Sequence, residues 1–392
     1  MSNIKLYDRS RSTTDWQCPR RRYWNYEYLG KGIVPDDTPQ ALYMGTTVHD
    51  ALSAIARLHQ TGAGKVDIDL IADTARKQMY EALIDSTDGS FDDVLYANEQ
   101  AALVEGLVRG FYRRVWPTLI EEYPNILAIE QEMTYVHDGF GKSAETGHTF
   151  MAKPDLVLGD NDDNIYYIEY KTTSSKKDGW VNSWNTAVQL HSTSKAIERT
   201  LGKSVTAVIV QGIYKGYESY NKQNSPFCYA YMRGGNPPFV KPEISYEYKA
   251  GFKKSPVWDL DGGMKAWVAS MPENILTEQF PRTPPIFINE DLVETFFAQR
   301  FVRETEIDMT MNILDVTEDD ETKKMILNSS FPQRFDQCSP GYGSNCPYRA
   351  MKGCHGVIED PLNQGYILRE SHHQPEVDMQ KEGIKKNESN NS

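Results

Sequence analysis

Between residues 40 and 60 the apolar positions recur every three to four residues: Val48, Leu52, Ile55 and Ala56 share one face, and Thr46 or Thr47 is available to cap the start. That spacing predicts an amphipathic helix. A second helical pattern covers 69–84, and a third, near 95–120, carries Leu103, Leu107, Phe111 and Val115 ahead of Pro117. From about residue 125 the period falls towards two. NILAIEQEMTYV, TFMAKPDLVLG and NIYYIEYKTTS are short runs rich in β-branched and aromatic residues, separated by Gly, Asp and Asn, and predict three consecutive strands. A helix over about 184–201, closed by Gly202, then leads to two more apolar runs, SVTAVIVQGIYKG and FCYAYMRG. The middle of the chain therefore reads αβββαβ, an α/β fold with a mixed sheet flanked by helices.

Outside that core, at about 40–232, the pattern thins. Residues 232–262 are rich in Pro and Gly without a period and read as an insertion. A helical segment near 289–305 leads into a cysteine-bearing region, so that the C-terminal elaboration covers about 289–356, and the polar tail 370–392 is expected to be disordered. With no internal repeat and no Gly/Ser linker, residues 1–369 read as one domain with N- and C-terminal elaborations. No apolar run approaches the ~18 residues that span a bilayer, and the N-terminus has no apolar stretch behind its basic residues. The expectation is a cytoplasmic protein without a membrane partner.

The formal net charge of −13 argues against nucleic acid at first sight. Distribution weakens that argument, because basic residues gather at Arg20, Arg21 and Arg22, at Lys171, Lys176 and Lys177, and at Lys215 and Lys222. An acidic protein can carry a basic groove.

The sharpest chemistry lies in two neighbouring predicted strands. Lys153-Pro154-Asp155 opens one and Glu169-Tyr170-Lys171 ends the next, so alternation puts Glu169 and Lys171 on one face and a hairpin brings Asp155 beside them. Two carboxylates suit Mg²⁺ or Mn²⁺, with the Tyr170 carbonyl able to complete the set. Lys171 would orient or deprotonate an attacking water and neutralise charge on a scissile phosphate. The plain alternative is a turn aspartate and a cross-strand ion pair at a solvated edge. Against it, the apolar run Ile165–Ile168 needs no such charges in order to fold.

Five cysteines are present, and in a cytosolic chain a cluster points to metal rather than to disulfides. Cys338, Cys346 and Cys354 sit in a Gly- and Pro-rich stretch that cannot order itself as helix or strand, and Cys18 is the natural fourth ligand. His355 could replace one of them, while Cys228 reads as a packing residue. The spacing departs from the paired cysteines of zinc fingers.

An ordered series of motifs now resembles the RecB-like branch of the PD-(D/E)xK nucleases: CPRRRYW at 18–24, GTTVH at 45–49, Glu130 in LAIEQE, KPD at 153–155, EYK at 169–171, Gln189 in AVQLH, and the C-terminal cysteines. That branch includes nuclease domains of recombination helicase–nucleases, CRISPR-adaptation exonucleases and stand-alone phage proteins. The resemblance implies a restriction-endonuclease-like core and a Mg²⁺- or Mn²⁺-dependent DNA exonuclease, acting on single strands or duplex ends in recombination, repair or phage DNA processing. It implies His49, Asp155 and Glu169 as metal ligands and Gln189 beside the catalytic lysine. Glu130 takes the acidic position on the first strand, although Glu132 shares its face. Where the family usually has a tyrosine after Gln189, this chain has His191, Thr193 and Lys195. Arg20, Arg21, Arg22, Gln189 and Lys195 become candidates to contact DNA, and the aromatics Tyr23, Trp24, Trp180 and Trp184 could stack on bases. For the cysteines the resemblance favours a [4Fe–4S] cluster over Zn²⁺.

Two other readings remain: a non-catalytic DNA-binding subunit of a recombination complex, and a restriction-type endonuclease. The only GKS, at 202–204, has Ile197 where a P-loop needs glycine, so any helicase or recombinase would be a partner.

Overall fold

The computed structural model describes residues 6–36, 40–62, 66–85, 91–136, 148–174, 179–216, 218–219, 222–223, 227, 263–338, 345–351, 354 and 360–370. The chain begins with β1 (Leu6–Asp8), α1 (Arg9–Gln17), α2 (Pro19–Arg22) and β2 (Ile33–Pro35), followed by four helices, α3 (Gln40–Gln60), α4 (Ile68–Ile84), α5 (Phe91–Arg114) and α6 (Trp116–Glu122). Five strands follow: β3 (Asn125–Ile129), β4 (Met133–Val136), β5 (Thr149–Ala152), β6 (Leu156–Gly159) and β7 (Ile165–Thr173). Next come α7 (Gly179–Asn182), α8 (Val188–Leu201), β8 (Val205–Tyr214) and the short hairpin of β9 (Glu218–Ser219) and β10 (Lys222–Gln223). The rest comprises α9 (Gly263–Ser270), α10 (Glu273–Gln279), α11 (Glu290–Val316), α12 (Asp320–Ser330) and β11 (Tyr366–Leu368). No helix of the described residues is long and apolar enough to cross a membrane.

Two compact units emerge, one of Pro39–Gln131 and Lys153–Asn289, the other of Met1–Thr38, Glu132–Ala152 and Glu290–Ser392. The first holds a four-stranded sheet in the order β3-β6-β7-β8. β6 runs antiparallel to β3 and β7, whereas β8 is parallel to β7. A parallel neighbour requires a crossover, which α8 supplies before it stops at Gly202 in the left-handed conformation (φ 71°). The predicted stripes of α3 and α5 bury Val48, Leu52, Ile55, Leu103, Leu107 and Phe111 against Leu156, Leu158, Ile168 and Tyr170 of the sheet. Pro117 marks the break between α5 and α6 by sitting in the first turn of α6, where its missing N–H costs no helical bond. On α5, Gly106 and Gly110 form a notch for the Phe227 ring: a Cβ at either would lie 2.8 or 2.9 Å from it. The outer edge of β8 is bridged through Ile286 and Arg282.

The second unit carries the sheet β1-β5-β4, the pair β11-β2 and the long helix α11. Its buried polar centre is ionic. Arg22 bonds Glu27 at 2.7 Å and Glu304 at 2.8 Å, and Asp15 receives Arg300 and Arg303. Residues 318–321, all acidic, lead into a helix: Asp319 caps α12 by accepting from the Thr322 N–H at 2.7 Å, and Asp320 and Glu321 fill its first turn.

Three predicted boundaries change. TFMAKPDLVLG is two strands, β5 and β6, in different units, because Pro154 has no N–H to continue a ladder. NILAIEQEMTYV likewise divides into β3 and β4, at Glu130, which adopts a left-handed φ of 43°. The helix expected near 289–305 runs on to Val316. Of FCYAYMRG only Phe227 is described; the rest of it, Cys228 included, lies outside the described residues together with 232–262, Lys176, Lys177, His355 and 371–392.

Candidate active site

Alternation along β7 directs Ile168 and Tyr170 into the helical core and leaves Tyr167, Glu169 and Lys171 on the opposite face. The Glu169 carboxylate, only 3% exposed, is the hub. Its Oε1 accepts from Lys171 Nζ and from Gln189 Nε2, which α8 brings across, and its Oε2 accepts from the Tyr167 hydroxyl. Asp155, just ahead of β6, joins the middle of β7 through its side chain. Its Oδ2 accepts the Tyr170 N–H at 2.7 Å, while Oδ1 stands 3.2 Å from His49 Nδ1 on α3. Gly45, one turn before His49, faces β7, where a Cβ would make an ordinary contact with Thr172 Oγ1 at 3.5 Å. Burial disfavours a charged His49, but the hydrogen bond and charge of Asp155 outweigh it and raise its pKa.

Glu130 lies close by in the backbone, its N–H donating to the Asp155 carbonyl at 3.2 Å. Its carboxylate, however, is held by Lys153 at 3.3 Å and Arg57 at 3.6 Å, and burial together with the Glu130 charge raises the pKa of Asp50. Glu132, sharing a face with it in the sequence pattern, belongs to the other unit. Tyr167 is a site residue outside the motifs: it sits in an apolar run, and only its period-two spacing to Glu169 and Lys171 signals it in the sequence.

The DNA-contact candidates fall differently. Arg20 and Arg22 are buried, at 2% and 1% exposure, and point inward. Arg20 donates to the Phe331 carbonyl at 2.9 Å and Asn328 Oδ1 at 2.6 Å, and Arg22 serves the ionic centre, so their contribution is to the fold. Arg21 bonds weakly to Gln17 at 3.5 Å. Lys195 pairs with Glu198 at 2.9 Å on its own helix. Tyr23 and Trp24 belong to a buried cluster. Trp180 and Trp184 are half-buried, edge to face at 5.7 Å, with Trp180 packed over Gly212, the register partner of Lys171.

In donor chemistry Asp155, Glu169, the Tyr170 carbonyl and His49 fit a divalent cation that prefers oxygen and tolerates one imidazole. Cys18, Cys338, Cys346 and Cys354 line one cavity with Arg21, Gln333 and Tyr348. They are close enough that each of Cys338, Cys346 and Cys354 feels the charge of other cysteines in the set, and the Cys346 N–H donates to the Cys338 carbonyl at 3.0 Å. Four thiols around one space fit a thiolate-held metal group. Among the described residues no three His, Cys, Asp or Glu side chains are drawn together tightly enough to hold an ion as they stand.

Comparison with protein-family models matches residues 10–253 to a family described as the PD-(D/E)XK nuclease superfamily. No curated protein matches the chain. The matched stretch includes Cys18, His49, Asp155, Glu169, Lys171 and Gln189 and ends before the last three cysteines.

Proposed function

The chain belongs to the PD-(D/E)XK nuclease superfamily, and on that premise we propose that it is a Mg²⁺- or Mn²⁺-dependent deoxyribonuclease of the RecB-like branch, an exonuclease acting on DNA strands or ends. The observation that carries this reading is the meeting of Lys171 and Gln189 on the buried Glu169 carboxylate, with Asp155 tied to the intervening Tyr170 amide.

Asp155, Glu169, His49 and the Tyr170 carbonyl would hold the cation, with Glu130 a further candidate. Once bound, a divalent cation polarises a phosphodiester and lowers the pKa of water. Lys171 orients the attacking water and offsets negative charge as the new oxygen–phosphorus bond forms and the leaving oxygen departs. Gln189, a neutral donor to Glu169, can hold that carboxylate without competing as a second charge.

At the cysteines we read a [4Fe–4S] cluster, with Zn²⁺ as the alternative, bound by Cys18, Cys338, Cys346 and Cys354. Its place would be structural, fixing a segment that has little regular structure of its own among the described residues. A helicase or recombinase would supply the unwound or processed strand.

The test is digestion of end-labelled single- and double-stranded DNA by anaerobically purified protein with Mg²⁺, Mn²⁺ or EDTA, beside Lys171→Ala. Metal-dependent degradation that disappears in the variant is expected. A protein that binds DNA and carries its cluster but cuts with neither metal is instead the non-catalytic subunit.

A further inference from the structure

Tyr167 belongs to none of the motifs that point to a nuclease, yet it is a direct hydrogen-bond partner of the central carboxylate. Its ring is 1% exposed on β7, and its hydroxyl donates to Glu169 Oε2. We propose that Tyr167 is a positioning residue for the reaction: it holds Glu169 Oε2 and limits the direction from which that oxygen can meet a divalent cation. The proposal rests on the nuclease reading of the same site.

The argument is a count of acceptor positions. An ionised carboxylate has two oxygens and about four lone-pair directions. Lys171 Nζ and Gln189 Nε2 take both directions at Oε1. Tyr167 takes one of the two at Oε2, so a single direction on Oε2 remains for a cation. Without the hydroxyl, Oε2 is held by no donor and offers either of two directions, and the site loses its single geometry. The donor is also neutral. Lys171 already sets a positive charge against Glu169, and a second cationic donor would oppose the entry of a metal ion, whereas a phenol orients without adding charge. Burial makes the arrangement mutual, since a phenolic O–H in this place without an acceptor would be costly.

Tyr167→Phe removes the hydroxyl and keeps the ring. Mn²⁺ binding in the absence of DNA, followed by electron paramagnetic resonance, is measured beside kcat and KM on a single-stranded oligonucleotide. The expected result is Mn²⁺ affinity lowered about tenfold and kcat lowered about ten- to a hundredfold, with KM for DNA unchanged. In a Glu169→Gln background the same substitution is expected to leave Mn²⁺ affinity unaltered, because Tyr167 acts through that carboxylate. If wild type binds Mn²⁺ and cuts DNA and Tyr167→Phe matches it in both, Tyr167 only packs and the proposal is overturned. If wild type does neither, the nuclease reading falls and the proposal falls with it. Should Tyr167→Phe fail to fold, 4-fluorophenylalanine at position 167 keeps the ring and fills the place of the hydroxyl without a proton to donate; an unchanged Mn²⁺ affinity there would equally reject the role.

Discussion

Asp155 accepts the backbone N–H of Tyr170 through Oδ2, at 2.7 Å, and so is fastened to the strand that carries Glu169 and Lys171. The bond helps bring two carboxylates fourteen positions apart together at the middle of β7. It also separates charge from architecture. Asp155→Asn keeps an oxygen for the Tyr170 amide but removes the charge facing His49, so DNA cleavage is expected to fall by about a hundredfold or more with little change in melting temperature. Asp155→Ala should lose both. Parallel cleavage and calorimetry on the two variants check this, and equal melting temperatures for both would reject the structural half of the argument.

The glycine notch on α5 makes a second prediction. In a helix interior alanine is favoured over glycine by about 1 kcal/mol, so Gly106→Ala would ordinarily stabilise. Here the new Cβ would come within 2.8 Å of Phe227, and overpacking of that kind costs about 1–3 kcal/mol. Gly106→Ala is therefore expected to be neutral or destabilising in the wild-type background and stabilising in a Phe227→Gly background, where both the ring and the Cβ that obstruct it are gone. Denaturant melts of the four proteins in the cycle give the coupling directly.

Much of the site was legible because it lies on periodic elements. The stripe at Val48–Ile55 and the alternation at Glu169 and Lys171 place these residues from spacing alone, and the sheet core follows from the same runs. What stayed hidden depends on partners distant in sequence. The strands at Glu130 and Pro154 look continuous by composition, yet each breaks where the chain passes between units. Arg20 and Arg22 read as a basic patch until Asn328, the Phe331 carbonyl and Glu304 are seen to hold them. Tyr167 illustrates the same limit: its spacing puts it on the face of Glu169, but nothing in an apolar run shows that its hydroxyl meets that carboxylate.

For the cysteines, the expected outcome is that anaerobically purified protein carries iron and acid-labile sulfide and absorbs in the visible range. Cys346→Ser, which removes a buried thiol from the cavity, should lower the metal content and the melting temperature together. Zinc in place of iron, without colour, would select the alternative metal. Full stability with neither metal, in wild type and variant alike, would leave these thiols as packing residues.

Asp15 predicts a distinct acid response in the other unit. It is 4% exposed, 3.0 Å from Arg303 and 3.2 Å from Arg300. Burial would raise its pKa, but the hydrogen bond and charge of Arg303, with the charges of Arg300 and Arg22, prevail and hold it below the usual carboxylate value. A carboxyl depressed in the folded state binds protons more readily when unfolded. Its contribution is complete above the unfolded pKa, about 3.9, and is lost as pH falls through the folded value. Asp15→Asn leaves two guanidinium groups without their counter-charge and should cost about 3–5 kcal/mol at pH 7. Other carboxylates also titrate in acid, so the informative quantity is the gap between wild type and variant. That gap should be constant from pH 7 to 5 and narrow below pH 4, as the wild-type carboxyl becomes neutral like the amide. Melting curves at pH 7, 5, 4 and 3 decide the matter: a gap that stays constant to pH 3 would place the stabilising effect of Asp15 in packing rather than in charge.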